Sequence, residues 1–572
     1  MKRLIALLLV LAMTVCLAAC GAGETENAST GEQTISNQVG INSGEEDETL
    51  TETDDSNVEK TVTVGIIADP TTWDPWASFN PGRKHTAGVI YQTLVALVTN
   101  PETSQVVAYN VMISGYEQLD ESTFRVTLRE GIYDTAGNPF TANDAKFSLD
   151  SAKEKGTMGA MNDMNEVTVV DELTFDVTVN STMAVGDFEE LLSTPNMVTQ
   201  AAYEASPDGM LMEPVGTTGY VLSDYVAGSS CTFTKSETPY WNEKANESRD
   251  IENDGFCFLY DTTKVDTIVY KVITDTSTMA IALESGDIDI ASSVASNDML
   301  LFNNNPDYSV ASVPGNIMYL VTNCSTDSPM QNENLRKAVA YCFDSSDALS
   351  AAYDGDGVVA KAWGYPSQIG YQSEWDSDEY DYFGYDLEKA QEYLQAYYEE
   401  TGTSAGDLHL RLLCTTDSAH VKIAEVIQAS LNALVGADCC ELLQYETNSF
   451  NEVKSDSTAY DMYLYWGLAN KPYVLYNWNL SANAERSSSG LSGFKIVDEQ
   501  LQTLLNACLS VDTFSDETCK AFQEYVNEKC YTVCICTGNS HWVASNWIKS
   551  FAIGSKDAVV ANAMTYDWSA KN

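Results

Sequence analysis

The chain has 572 residues, with 83 Asp and Glu against 30 Lys and Arg, a formal net charge of -53 and a pI near 4.1. Charge of that sign and size repels phosphates, which excludes nucleic acid and anionic lipid surfaces as expected partners; it solvates the surface and draws cationic solutes. One hydrophobic core stops growing near about 250–300 residues, so the part beyond residue 60 needs two or more domains.

At the start, Lys2 and Arg3 precede an apolar run from Leu4 to Met13, too short to span a bilayer and suited to a secretory signal. Leu17-Ala18-Ala19-Cys20-Gly21 puts small residues before a cysteine and resembles the lipobox of bacterial lipoproteins. Residues 1–20 are therefore expected to be a lipoprotein signal peptide, with Cys20 the lipidated mature N-terminus, carrying diacylglycerol and palmitate. Residues 21–60 hold Ser, Thr, Gly, Asn, Glu and Asp with almost no large apolar side chains, so they read as a disordered acidic tether. Like charges along Glu45-Glu46-Asp47-Glu48 keep such a segment extended.

Thr61 to Ile67 alternates as a strand and is stopped by Asp69-Pro70 and Asp74-Pro75. Phe124 to Leu128 and Leu173 to Val179 alternate in the same way, each after an acidic turn. In the C-terminal half the rhythm becomes strand, helix, strand. Leu335, Val339, Cys342 and Phe343 share a helical face, and Asp386 is a suitable N-cap for a helix from Leu387 to Glu399. Leu408, Leu410 and Leu412 alternate; Ile423, Ile427, Leu431 and Leu434 mark a helix ending at Gly436; Cys440 to Leu443 is a further strand. That order predicts a βαβ unit and a partly parallel sheet covered by helices.

Several blocks in this order carry a family resemblance. They are Asp69-Pro70-Thr71-Thr72-Trp73-Asp74-Pro75, Ile90-Tyr91-Gln92-Thr93-Leu94, and Phe124 to Gly131 followed by Gly137 to Asp144. Pro214 to Tyr220, Pro239-Tyr240-Trp241, Leu283 to Asp289, Leu335 to Tyr341, Tyr385 to Ala390 and Tyr460-Asp461-Met462 before Trp466 continue the series. The chain resembles the bacterial extracellular solute-binding proteins of family 5, which include the oligopeptide- and dipeptide-binding components of ABC importers. The resemblance implies an α/β, two-lobed, periplasmic-binding-protein-like fold of type II, in the large cluster with an extra subdomain in lobe 1, and a hinged cleft. It implies lobe 1 over residues 61–314 with the inserted subdomain at about 90–205, lobe 2 over 315–538, and a C-terminal return to lobe 1 over 539–572.

The same resemblance implies a substrate-binding protein that captures a di- or oligopeptide and delivers it to the membrane permease, with an oligosaccharide ligand or a sensor role as alternatives. It implies a likeness to monomeric, extracytoplasmic lipoproteins held on the outer face of the cell membrane. No enzyme is expected, because His85, His409, His420 and His541 are scattered and none sits in a hydrolase motif. No cofactor and no metal are expected either: Cys530, Cys534 and Cys536 lack tight paired spacing and sit in an apolar run as buried strand residues would. After Cys16 and Cys20, twelve cysteines remain, and those at Cys342, Cys508 and Cys534 suit small buried hydrophobes.

In the family, the stretch after the Tyr460-Asp461 block borders the ligand and in peptide binders supplies an acid for the free amino terminus. Here Asn470 or Ala469 stands in its place with Lys471 beside it, a departure that withdraws the counter-charge from a buried ammonium; Lys471 either favours a carboxylate or another anionic group or lies on the surface. The expected ligand contacts are Trp466, Asn470, Lys471 and Tyr473, with Trp363 and Trp375 from the same lobe and Trp73 and Trp76 from the other.

Overall fold

The structure is a computed structural model. It describes residues 60–78, 80–99, 106–180, 187–237, 265–362, 371–377, 384–467, 473, 475–482, 492–510, 513–550, 553–554, 558–559 and 564–571. The expected signal peptide, Cys20 and nearly all of the tether lie outside them. The alternating segments form strands as expected: β1 is Thr61–Ile66, and Thr123–Leu128 and Thr174–Val179 are neighbours in a separate four-stranded antiparallel sheet. Their inward residues Val62, Val64, Val126, Phe175 and Val177 are sealed from solvent.

One 12-stranded sheet organises the rest. Its strands bearing on function are β1, β2 (Ile290–Val294), β3 (Tyr308–Pro314), β4 (Ile317–Thr322), β5 (Gly357–Val359), β6 (Leu410–Thr415), β7 (Cys440–Tyr445), β8 (Met462–Gly467) and β9 (Thr532–Ser545). They lie in the order β7-β6-β8-β4-β9-β2-β1, followed by Thr267–Val272, Ser230–Lys235 and Tyr220–Val226, with β3 and β5 also paired to β9. β6 and β7 are parallel, Leu410 opposite Cys440, and are joined by helix α1 (Ser418–Val435). This is the predicted βαβ unit. Helix α2 (Thr447–Lys454) then returns the chain to β8 on the far side of β6.

α1 begins five residues before the first predicted apolar position, because Asp417 caps it: the carboxylate accepts the amides of Ala419 at 2.9 Å and His420 at 3.3 Å. It ends at Gly436, whose φ of +72° is a left-handed stop. Asp386 caps Leu387–Thr401 in the same manner, through the Lys389 amide. Phe343, expected on the face of the preceding helix, instead closes it: Glu333–Cys342 ends there in extended backbone with the ring buried.

Buried apolar side chains separate into two principal cores. One runs from Ile317 to Cys536; the other runs from Val62 to Ile290 and takes in Trp542, Ala544, Trp547, Ile548 and Met564 near the C-terminus. A smaller cluster of Met279, Leu283, Ile288, Val294, Met299, Phe302 and Val543 flanks β2. The fold is thus two lobes sharing β9. The first half of β9 pairs with β4 and β5, Val533 opposite Leu320 and Gly357 opposite Gly538, whereas its second half pairs with β3 and β2, Ala544 opposite Ser309 and Ile290.

The β3 to β4 connection crosses at the same level, where the Gly315 amide donates to Gly538 O at 2.8 Å. Glycine is required on both strands. A Cβ on Gly315 would lie 2.9 Å from Gly538 O, and one on Gly538 would lie 2.3 Å from the Tyr353 ring. Among the described cysteines none is in a disulfide, and all but Cys324 are buried.

Candidate functional site

Register decides where a ligand would sit. β8 runs antiparallel to β4 with Gly467 opposite Ile317, and β6 runs parallel to β8, so the carboxyl ends of β6 and β8 finish beside the crossover at Gly315. On the other lobe β2 is antiparallel to β9, Ile290 opposite Ala544 and Val294 opposite His541, so its carboxyl end also travels toward Asn539. The carboxyl edges of both lobes therefore border the two crossing strands. In open α/β sheets that edge is where ligands bind.

The lobe 2 edge is aromatic and polar. Trp466 and His420 lie with ring centroids 4.5 Å apart, and Phe450 is 5.7 Å from Trp466. β6 and α1 bring His420 there together: the strand ends at Thr415, Asp417 starts the helix, and His420 falls in its first turn. Its Nδ1 and the Thr415 hydroxyl share a hydrogen bond of 2.5 Å. Burial holds the imidazole below its ordinary pKa, with Asp417 pulling the other way, so the ring is neutral near pH 7. A neutral imidazole can give or take one hydrogen bond at Nε2, an atom with no partner among the described residues.

On the other face of β8 sits Lys454, only 1% exposed. Its ammonium stands 4.9 Å from the centroid of Tyr465 and 5.7 Å from those of Phe450 and Tyr463. No carboxylate lies within ion-pairing distance of it among the described residues. Burial alone pushes its pKa down to about 8. A charge so enclosed is costly unless something anionic reaches it; the ring faces repay part of that cost.

Trp466 of the expected contacts is at this edge, half-buried. Tyr473 is sealed in the lobe 2 core, edge-on to Phe514, its hydroxyl meeting no partner among the described residues. Trp375 is also sealed, edge-on to Tyr371. Trp73 and Trp76 pack in the lobe 1 core: Trp73 against Tyr225 at 4.6 Å, and Trp76 against Tyr203 with its Nε1 donating to Asn196 O at 3.0 Å. In this conformation these four offer no open surface; on lobe 1 the loop after β1 folds down onto Leu211 and Tyr91. Asn470, Lys471 and Trp363 lie outside the described residues.

His420 and Lys454 are the two polar groups that sequence reasoning passed over. A strand ending in Thr415-Thr416 followed by a capping Asp417 is a legible signal that the next turn faces a carboxyl edge. Lys454 has a weaker one, the i,i+4 spacing from Phe450, which leaves its sealing invisible. Of the four histidines, His85, His420 and His541 are buried and His409 is exposed. Among the described residues, no group of three or more His, Cys, Asp or Glu could hold a metal ion, and no helix is long and apolar enough to cross a membrane.

Residues 109–486 match the family model described as bacterial extracellular solute-binding proteins, family 5 middle. The glutathione-binding protein GsiB of Salmonella paratyphi A is 24% identical over 345 residues, 59% of this chain and 61% of that protein. The match thus spans about three fifths of that relative's length. The dipeptide-binding protein DppE of Bacillus subtilis is 25% identical over 423 residues, 69% of this chain and 72% of its own. The crystal structure of a putative peptide binding protein AppA from Clostridium difficile superposes with a TM-score of 0.70 at 16% identity, covering 89% of this chain and all of that one.

Proposed function

Because the chain belongs to the bacterial extracellular solute-binding proteins of family 5, we propose that it captures a di- or oligopeptide between its lobes and hands it unchanged to the permease of an ABC importer. The observation that carries this is the convergence of both carboxyl edges on the crossing strands, with His420 and Trp466 on the lobe 2 side. An indole face and a neutral imidazole suit a peptide backbone: one packs on the chain, the other bonds an amide or carbonyl without demanding a particular side chain. The acid that would pair a free amino terminus is replaced by Asn470 or Ala469 in the sequence, and Lys471 beside it is a cation. A terminal carboxylate is the charge such a lobe accepts.

The reaction chemistry of an enzyme has no support at this edge. His420 is hydrogen-bonded to Thr415, and among the described residues no carboxylate is hydrogen-bonded to its ring to orient it as a general base. The protein acts as a monomer outside the cytoplasm, tethered through lipid on Cys20 to the outer face of the cell membrane, with residues 21–60 as a spacer. Trp466 also leaves an oligosaccharide as the second reading, since an indole face stacks equally well on a sugar ring.

A thermal-shift comparison of a tryptic peptide digest with a maltodextrin series separates the two. Ligand binding only the folded state at about 100-fold over its Kd adds about 2.7 kcal/mol, a rise of a few degrees in Tm. Peptides are expected to give that rise and maltodextrins none; the reverse result contradicts the peptide assignment.

A further inference from the structure

Beside the crossing strands one carboxylate ties the lobes together. Asp356 belongs to lobe 2: it follows the helix Ser345–Tyr353, which packs in the lobe 2 core, and precedes β5. Its partners belong to the other side. Asn539 Nδ2 donates to Oδ1 at 2.8 Å, the Asn539 amide donates to Asp356 O at 3.2 Å, and His541 Nε2 is hydrogen-bonded to Oδ2. The Ser296 hydroxyl, just past β2, faces the same carboxylate and helps to hold its pKa down. His541 is held in turn by its Nδ1, 2.7 Å from the Ser312 hydroxyl on β3.

Burial would raise the Asp356 pKa, but these hydrogen bonds together hold it below the usual carboxylate range, which keeps it charged. His541 is buried among lobe 1 residues, so its edge toward Asp356 is fixed rather than swinging.

We propose that Asp356 is an interlobe latch, a lobe 2 carboxylate whose grip on Asn539 and His541 of the lobe 1 side biases the hinge toward the arrangement seen here before any solute arrives. The proposal rests on the reading that the lobes move relative to one another on capture. Geometry makes Asp356 the sensitive point: it sits one residue before Gly357, which pairs with Gly538, so any rotation at the Gly315 and Gly538 crossing must stretch or shear its hydrogen bonds. Charge-assisted bonds that form in one arrangement and break in another weight the equilibrium between the two.

Double electron–electron resonance on the full folded chain tests this. Spin labels are carried by non-canonical amino acids at Leu300 in lobe 1 and Val497 in lobe 2, 84% and 85% exposed, so that the buried cysteines stay untouched. Wild type, Asp356→Asn and His541→Gln are measured without ligand and with excess tryptic digest. The latch predicts one narrow ligand-free distance in wild type and a shifted or clearly broadened distribution in both variants, with the liganded distances of all three coinciding. Ligand-free distributions identical to wild type in both variants overturn the latch while leaving capture standing. A wild-type distance that peptides do not change removes the moving hinge, and the latch with it. Should Asp356→Asn fail to fold, His541→Gln alone decides, because it removes one bond from the lobe 1 side and leaves the carboxylate in place.

Discussion

Lys454 carries a charge where rings surround it and, among the described residues, no acid lies within ion-pairing distance. Its folded pKa of about 8 lies below the unfolded value near 10.4, so between those values the unfolded chain binds more protons and stability rises with pH. The depression corresponds to about 3 kcal/mol at neutral pH, less what the three ring faces return. The Lys454→Met variant is therefore expected to be more stable than wild type by roughly 1–3 kcal/mol at pH 7, with the gap closing toward pH 10. Urea unfolding of both proteins across that range checks it; a gap independent of pH contradicts the buried charge.

His420 makes the complementary case, a group valuable because it is uncharged. Its truncation to Ala should lower peptide affinity about 10-fold, the usual worth of one hydrogen bond with some packing, and should also lower the unliganded stability by about 1–3 kcal/mol, because the buried ring packs on Trp466 and bonds Thr415. Calorimetric titration with the peptide identified in the thermal-shift screen reads the affinity, and urea unfolding without ligand reads the stability. Neither residue's burial could be read from the chain alone, since a histidine in a first turn and a lysine in a last turn are ordinary surface residues by pattern. Their enclosure comes from β8, which brings Trp466 against His420 and Tyr463 and Tyr465 against Lys454.

At the scale of elements the sequence was informative where local rules agree. The βαβ unit from Leu410 to Tyr445 has alternation, a capping Asp417, a 3.6-residue stripe and a stopping Gly436, and each signal points to the same structure. β9 was less legible. Its fourteen residues include a run of seven buried positions, which marks a central strand but carries no sign that it changes partners at Gly538. That switch is a long-range fact, set by Gly315 and Tyr353. Substituting Gly538→Ala forces a Cβ into the Tyr353 ring at 2.3 Å and is expected to cost about 1–3 kcal/mol, read as a lower denaturation midpoint. The penalty should shrink in a Tyr353→Leu background; an unchanged penalty would place the strain elsewhere. The Asp417 cap is worth about 1 kcal/mol by the same measurement on Asp417→Ala.

For the whole molecule, the two-lobed fold followed from a collinear series of short blocks, and the cores confirm it by separating on either side of β9. Ligand contacts were a harder inference because aromatic residues serve cores as readily as clefts. Of the expected rings, Trp466 stands at a carboxyl edge, whereas Trp73, Trp76, Trp375 and Tyr473 are packed inside the lobes. The relation between halves depends on a few glycines, the Asp356 hydrogen bonds and whatever lies between the edges. Occupancy of that gap is the central claim, and native mass spectrometry of the folded protein with a tryptic digest tests it most directly. The account predicts one peptide held per chain and released with its mass unchanged. Binding of glycans with no peptide adduct, or recovery of cleaved peptide, would contradict it.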